Sequence, residues 1–280
     1  MALFNSFLLK SMFYIQNSKA ASALDFMKPP VDISIHGHKI DYLFNLTTAL
    51  ITFFFILVII GLFGFSYLYA KKRHPKPLYV DGTDKKHILI VAFLGSMVFV
   101  LIDMQITTIS NKDFVEIFAK WPVEDEKVLK VEVLGQQWAW NFRYAGPDGI
   151  FNTEDDVVTL NDLRLPAGRK IVFQVTSKDV IHSFFLPNAR LKVDAMPGRI
   201  SRMWTEFKPE TAGEYPIACA EMCGTFHYRM QAKLTVYNEN DFQSWIADAE
   251  KNTQHVLDKE NPDLYWGWKW LATNNEVTKN

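Results

Sequence analysis

Apolar and charged positions divide this chain into two halves with different patterns. The stretch from Tyr42 to Ala70 contains no Asp, Glu, Lys, Arg or His. A run of about 20 apolar residues is long enough to cross the hydrocarbon core of a bilayer. The pattern therefore predicts a transmembrane helix over about residues 43–70.

A second apolar run extends from Ile88 to Ile102 and is followed by Asp103. At about 1.5 Å per residue, such a run spans only about 22 Å of a core that is ~30 Å thick. We therefore predict a second helix, over about residues 87–110, that continues past Asp103. Its carboxylate either reaches toward headgroup water or faces a partner protein, because a charge on the lipid-facing side of a helix is costly.

The loop between the two predicted helices is basic, with KKRHPKP at 71–77 and DKK at 84–86. Basic loops stay on the cytoplasmic or matrix side of a membrane. The helical hairpin, residues 36–111, would then present the second half of the chain on the outer face. Residues 1–35 are an N-terminal segment, either a signal sequence or a flexible extension.

The second half has the pattern of a β domain. Apolar and polar residues alternate in VLKVEVLGQQWAWNFRY, GRKIVFQVTS, GRISRMWTEF and RMQAKLTVY, and Pro and Gly separate these segments. Short strands at this spacing indicate a sandwich or barrel. The predicted fold class is a membrane-anchored all-β protein, with its β domain over residues 112–252, a short helix at 241–251, and an aromatic tail at 253–280.

Both cysteines lie in one short stretch, CAEMCGTFHYRM at 219–230. A disulfide between Cys219 and Cys223 would close a small loop and stabilise the fold only weakly, and a redox switch is a second alternative. A metal site also accounts for His227 and Met230, because thiolate, imidazole and thioether are the donors of copper sites on β sandwiches. Two thiolates in a short loop can also bridge a pair of metal ions.

Zinc remains the competing metal. A closed zinc site needs four Cys or His ligands, which the loop and one further histidine would supply. The best candidate for that histidine is His182, in DVIHSFFLP at the end of a predicted strand. Nucleic acid is not an expected partner, since a formal net charge of -1 gives no sign of a basic face.

The stretch CAEMCGTFHYRM resembles the Cys-x-Glu-x-Cys-Gly-x-x-His-x-x-Met signature of cytochrome c oxidase subunit II. Two further segments, DVIHSFFLPNARLKVDAMPGR and GQQWAWNFRY, are similar to segments of that family, as is the helical hairpin. The resemblance covers most of residues 36–250. It implies a cupredoxin-like β domain that binds two copper ions as a binuclear copper A centre. The implied copper ligands are His182, Cys219, Cys223, His227, Met230 and the backbone carbonyl of Glu221, with the two cysteines bridging the ions.

The resemblance implies two further sites. The Glu221 side chain would reach a magnesium ion shared with subunit I, near Asp194, and Trp138 would be the point of electron entry. Each residue also has a simpler interpretation. Trp138 and Trp140 would fill the core, Glu221 would be a solvated loop acid, and Asp194 would pair with Arg199.

The implied function is that of the electron-input subunit of a haem–copper oxidase. Electrons would come from cytochrome c or another haem c donor and pass to haem in subunit I, where oxygen is reduced; subunit III and membrane lipid are further partners. No Cys-x-x-Cys-His occurs, so the donor would be a separate protein. We expect a bacterial cytoplasmic membrane with the copper domain on the periplasmic face, or else a mitochondrial inner membrane. The rival functions are a copper chaperone, a membrane-anchored zinc or other metal-binding protein, and a quinol oxidase subunit.

Three segments depart from the family pattern. DGTDKKHILIVAF lacks the glutamate that the family places at the inner end of the second helix, so Asp84 or His87 would have to admit protons. The loop 146–157 is acidic and is either an exposed turn or a calcium site. The tail YWGWKW at 265–270 would lie at the membrane surface or against a neighbouring subunit. The candidate calcium ligands are Asp148, Asn152, Asp155 and Asp156.

Overall fold

Two long apolar helices precede the β domain. The computed structural model describes residues 29–73, 76, 81–122, 128–146, 149–151 and 155–252, and those from Asp32 onward belong to one unit. Helix α1 spans Gly37–Leu68 and helix α2 spans Lys85–Ala119. Each is longer than the ~20 residues that a bilayer crossing needs, and the most apolar stretch of each has no buried residue. The predicted tail at 253–280 lies outside the described residues.

Both helices extend beyond the apolar runs that predicted them. Helix α1 begins at Gly37 rather than near residue 43, and α2 ends at Ala119 rather than near residue 110. The additional turns are polar, and in them Lys39 Nζ of α1 lies 2.5 Å from Glu116 Oε1 of α2. Hydropathy identifies only the part of a helix that lies in lipid, so it does not register these outer turns.

Helix α2 contains π-helical turns at Phe99–Asp103 and Val115–Ala119. Such turns are wider than an α-helical turn and are frequent at functional sites. The first one ends at Asp103, which lines a groove of about 540 Å³ between α1 and α2. The other side chains that line this interhelix groove are apolar apart from Thr47.

Ten strands form the β domain in the described part of the chain. The strands are β1 Leu129–Gln136, β2 Ala139–Tyr144, β3 Val157–Leu160, β4 Asp162–Pro166, β5 Lys170–Ser177, β6 His182–Leu186, β7 Leu191–Ala195, β8 Ser201–Glu206, β9 Gly213–Cys219 and β10 Gln231–Tyr237. They make two five-stranded sheets, ordered β3-β2-β1-β5-β8 and β4-β10-β9-β6-β7. Neighbouring strands are antiparallel except for the parallel pairs β1–β5 and β4–β10. The predicted fold class, a membrane helical hairpin followed by an all-β sandwich, is confirmed. Helix α3 follows the last strand, at Glu239–Asn252.

The core between the two sheets is rich in aromatic side chains. Alternation along β2 directs Trp140, Phe142 and Tyr144 inward, and all three are fully buried. Trp140 and Phe142 contact Phe184 of the opposite sheet, whose ring centroid lies 5.3 Å from that of Trp140 and 6.0 Å from that of Phe142. These contacts fix strand β6, which begins at His182.

Charged side chains are buried on the other face of the same sheet. Arg143 Nη1 lies 3.5 Å from Glu132 Oε2, and Arg143 Nε lies 3.6 Å from Asp156 Oδ2. Asp156 of the predicted calcium loop therefore faces a buried guanidinium rather than solvent, and this pairing accounts for its position without a calcium ion. Asp148 and Asn152 lie outside the described residues.

The outer end of the hairpin is joined to the β domain by a bidentate ion pair. Arg190 Nε donates to Asp41 Oδ1 over 2.7 Å, and Arg190 Nη2 donates to Asp41 Oδ2 over 3.0 Å. Two parallel charge-assisted bonds fix direction as well as distance. The His36 ring also packs edge-on against Trp204, with centroids 4.8 Å apart. These contacts orient the β domain relative to the membrane helices.

Candidate metal centre

The 219–230 loop joins β9 to β10 and is closed at its base. The Cys219 amide donates to the Met230 carbonyl over 3.1 Å. Gly224 has a φ of 114°, a conformation that favours glycine. A β-carbon at this position would come within 3.0 Å of Gln137 Nε2. The loop therefore packs directly against the turn between β1 and β2.

Five side chains and one carbonyl converge at this loop. The two cysteine sulfurs are 3.8 Å apart, and no disulfide joins them, since a disulfide has an S–S length of about 2.05 Å. The donor atoms of the other predicted ligands surround this pair of sulfurs, and the structure thus brings all six predicted copper ligands together. Around Cys219 Sγ lie the Glu221 carbonyl oxygen at 3.3 Å and His182 Nδ1 at 3.9 Å, and around Cys223 Sγ lie His227 Nδ1 at 3.5 Å and Met230 Sδ at 3.7 Å.

Strand pairing brings His182 to the loop from 37 residues earlier in the chain. Strands β6 and β9 are antiparallel neighbours, with Phe184 opposite Cys219. His182 is the first residue of β6 and Cys219 the last of β9, so both lie at one end of the sheet. Gly135 leaves space for the imidazole, because a β-carbon there would lie 3.0 Å from His182 Cδ2.

The two thiols differ in their acidity. Burial opposes ionisation of Cys219, but hydrogen bonds with His182 and with the backbone at Glu221 and Ser183 outweigh it and lower its pKa to about 6. Burial and the adjacent Cys219 sulfur raise the pKa of Cys223 to about 12. A metal that binds both thiolates must therefore displace a proton, which is the usual coupling of metal affinity to pH.

The donor set fits copper. Two thiolates, two imidazoles and a thioether are soft ligands of the kind that copper takes on β sandwiches. Met230 is 1% exposed and points its sulfur at Cys223. A closed tetrahedral zinc site would be complete with the two cysteines and two histidines and would leave this thioether without a role.

Trp138 lies directly beside the loop. Its Nε1–H donates to the Cys223 carbonyl over 3.2 Å, and its ring packs edge-on against Phe226 with centroids 4.8 Å apart. Trp138 is half-buried, whereas Trp140 is fully buried in the core. The two tryptophans therefore have different environments. The family resemblance assigned a role to Trp138 alone, whereas the interpretation from residue pattern put both in the core.

Ser183 lies between Asp194 and the segment that carries Glu221, the predicted magnesium ligand. Its hydroxyl donates to Asp194 Oδ1 over 2.7 Å, and its carbonyl accepts from the amide of Ala220, the residue before Glu221. Among the described residues, Asp194 forms an ion pair with Lys192, whose Nζ lies 4.0 Å from Oδ1, rather than with Arg199. Glu221 is exposed.

Sequence reasoning missed Asp179. Its Oδ1 lies 2.9 Å from His182 Nε2, the imidazole nitrogen that faces away from the cysteines. Burial opposes ionisation of Asp179, but hydrogen bonds from the Gln137 amide and from His182 outweigh it and lower its pKa. In the sequence, Asp179 is an acid three residues before the candidate ligand His182. Only the turn between β5 and β6 shows that the two side chains meet.

Comparisons with known proteins agree with these features. Residues 129–236 match the family model of the cytochrome c oxidase subunit II periplasmic domain. An "Alternative cytochrome c oxidase subunit 2" of Bradyrhizobium diazoefficiens is 37% identical over 143 residues, which are 43% of this chain and 51% of that protein. A "Probable cytochrome c oxidase subunit 2" of Rickettsia felis is 28% identical over 252 residues, which are 84% of this chain and 73% of that protein.

A solved structure is also similar in sequence. The periplasmic domain of subunit II of cytochrome oxidase of Bradyrhizobium japonicum is 30% identical to this chain. The alignment covers 45% of this chain and 96% of that domain, with a TM-score of 0.39.

Proposed function

Because the chain belongs to the cytochrome c oxidase subunit II family, we propose that it is the electron-input subunit of a haem–copper cytochrome c oxidase. The observation that carries this proposal is a set of close donor contacts. The two thiols lie 3.8 Å apart, each has an imidazole nitrogen within 4 Å, and a thioether sulfur lies 3.7 Å from Cys223 Sγ. When bound, a pair of copper ions supplies a one-electron carrier whose charge is spread over both ions and both thiolates.

The chain's own residues would hold this centre rigidly. Cys219 and Cys223 would hold the copper ions together with His182 and His227, and the Met230 thioether and the Glu221 carbonyl would be weaker ligands. The aromatic core supports His182 from below, since the Trp140 ring centroid lies 5.9 Å from the imidazole centroid. Ligands fixed by packing move little when charge arrives, which favours fast electron transfer.

Trp138 is the residue that we assign to electron entry. It is half-buried, so one edge is open to a donor, while its indole N–H is bonded to the Cys223 carbonyl. Replacing it with phenylalanine keeps a ring against Phe226 and removes this hydrogen bond. We expect electron uptake from a reduced mitochondrial-type cytochrome c to slow by about tenfold, the effect of ~1.4 kcal/mol on a barrier. Stopped-flow reduction of the copper-loaded chain measures this rate.

The control for that prediction is Tyr228→Phe, which changes an exposed aromatic residue of the same loop. Copper content should be unchanged in both variants. Equal uptake rates in Trp138→Phe and Tyr228→Phe would contradict the assignment of Trp138.

The remaining partners follow from the membrane hairpin and the outer loops. The two helices and the β domain fit a membrane-anchored subunit. We propose that the helices pack against subunit I, and that subunit III and lipid complete their surroundings, in a bacterial cytoplasmic membrane with the β domain in the periplasm. The Glu221 side chain would bind a magnesium ion shared with subunit I, with Asp194 near that ion. At the inner end of α2, Asp84 Oδ2 lies 3.5 Å from His87 Nδ1, and this pair is the candidate for proton entry.

Asp103 provides a test of packing against subunit I. It lines the interhelix groove and, in the part of the chain that the structure describes, its carboxylate makes no hydrogen bond or ion pair. A carboxylate at this depth is costly unless a partner group satisfies it. We expect Asp103→Leu to lose about 1 kcal/mol of subunit association, a typical polar contact in a membrane. Recovery of the chain with affinity-tagged subunit I from detergent would then fall several-fold.

Val100→Leu is the matched control, because Val100 lies in the same π-helical turn and is lipid-exposed. Recovery of Asp103→Leu at the level of Val100→Leu would show that Asp103 only reaches toward water.

The proposed function is tested on the full chain purified in detergent and loaded with copper. Metal analysis should give two coppers per chain, and electron paramagnetic resonance should give the signal of one unpaired electron shared by two coppers. A single mononuclear copper, or preferential binding of colourless zinc, would overturn the binuclear assignment and favour a copper carrier or a structural zinc protein.

A further inference from the structure

Asp179 occupies the turn between β5 and β6 and contacts two separate parts of the metal centre. Its Oδ1 accepts from the Val180 amide over 2.6 Å and lies 2.9 Å from His182 Nε2. Its Oδ2 accepts from the Gln137 amide over 2.7 Å. Ser177 Oγ is a further neighbour, 3.4 Å from Oδ1. One carboxylate thus joins the turn that carries a metal ligand to the turn between β1 and β2.

The contact with His182 determines which imidazole nitrogen faces the cysteines. A carboxylate that accepts from Nε2–H leaves Nδ1 without a proton and fixes the plane of the ring. His182 Nδ1 is the nitrogen that points at Cys219 Sγ. Asp179 therefore prepares the ligand atom before any metal arrives.

The contact with Gln137 acts on the other side of the centre. The Gln137 side chain donates through Nε2 to the Cys223 carbonyl over 2.8 Å, and the next residue, Trp138, donates to the same oxygen. The Lys178 amide also donates to the Gly135 carbonyl over 2.9 Å, so the two turns are joined at a second point. A series of contacts runs from His182 through Asp179 and the Gln137–Trp138 turn to Cys223, and the Cys219 sulfur closes it back to His182.

We propose that Asp179 is a positioning residue that couples the Trp138 turn to the metal ligand His182. Through one oxygen it holds the imidazole, and through the other it holds the backbone from which the indole projects. A single side chain thereby contacts both the metal ligand and the turn that carries Trp138. This inference rests on the proposed function, in which electrons pass from Trp138 to the metal that His182 binds.

The test compares Asp179→Asn with Glu214→Gln in the full chain in detergent. Both substitutions remove one negative charge, but Glu214 is exposed at the far end of β9 and pairs with Lys233. An asparagine has only one acceptor oxygen, so it cannot serve both His182 and the Gln137 amide. Asp179→Glu keeps a carboxylate at this position and shows whether a conservative residue retains the hydrogen bond to the Gln137 amide.

The first measurement is amide hydrogen exchange at Gln137, by mass spectrometry of the metal-free chain. Loss of a charge-assisted hydrogen bond should make exchange about tenfold faster in Asp179→Asn, be partly reversed in Asp179→Glu, and leave Glu214→Gln like wild type. The second is the reduction potential and hyperfine pattern of the copper-loaded chain. The potential should rise in Asp179→Asn alone, because a neutral amide no longer stabilises the more positive oxidised state.

Unchanged exchange at Gln137 in Asp179→Asn would overturn the coupling, even if the potential rises. An equal change of the reduction potential in Glu214→Gln would show that the change in Asp179→Asn comes from net charge alone, and it would also overturn the coupling. The exchange measurement needs no metal, so it still decides the role of Asp179 if the chain fails to bind a copper pair and the proposed function is wrong.

Discussion

Replacing Cys223 with serine should abolish the two-copper centre while leaving the fold intact. Serine is close in volume to cysteine, but its hydroxyl is a hard donor that does not ionise at neutral pH. Cys223 is 3% exposed and lies within 4 Å of three other donor groups, so its loss removes one bridge and disturbs the ligands on its side. We expect at most one copper per chain, with a mononuclear signal, by metal analysis and electron paramagnetic resonance.

Met222→Leu is the control for that substitution. Met222 precedes Cys223 in the loop but is 73% exposed, so its thioether is not directed at the centre. This variant should bind two coppers with the wild-type spectrum. A Cys223→Ser chain that kept two coppers and the same spectrum would show that the thiolates do not bridge.

Replacing Trp140 with alanine should cost about 3–5 kcal/mol of unfolding free energy, the range for truncating a large buried aromatic residue. Trp140 is fully buried and contacts both Phe184 and the His182 ring. A domain of this size is stable by only about 5–15 kcal/mol, so the loss is a large part of the total. Thermal unfolding of the metal-free chain, followed by circular dichroism of the β domain, measures it.

The matched control is Leu160→Ala, at the end of β3. Leu160 is 60% exposed, and surface substitutions of this kind change stability by less than about 0.5 kcal/mol. Copper binding should weaken in Trp140→Ala and not in Leu160→Ala, since the indole supports the imidazole. Equal melting temperatures in the two variants would mean that Trp140 does not support this end of the sandwich.

The chemistry of the centre was accessible from the sequence because most of it is local. Cys219, Cys223, His227 and Met230 all lie within 12 consecutive positions, CAEMCGTFHYRM, and their residue types alone indicate soft metal ligands. The membrane helices were equally accessible, since a charge-free run of this length has few alternatives in a protein. Both features can be predicted from residue types because each depends on residues that are close together in the sequence.

Other features depended on the tertiary structure. The antiparallel pairing of β6 with β9 brings His182 to the cysteines, and contacts with the Gln137 amide and the His182 ring make Asp179 part of the centre. Trp140 lies in β2 and is buried in the core, whereas Trp138 lies in the turn before β2 and contacts the loop, although only Ala139 separates them. Asp156 belongs to an acidic loop by sequence, yet it faces Arg143 inside the domain.

The sequence by itself therefore determined that the chain has membrane helices followed by a β domain and carries a soft-metal loop, because each follows from residues close together in the chain. Only the tertiary structure decided which distant residues complete the centre and which hold it in place. Strand register sets those contacts, and register depends on the packing of the whole sandwich rather than on any one segment.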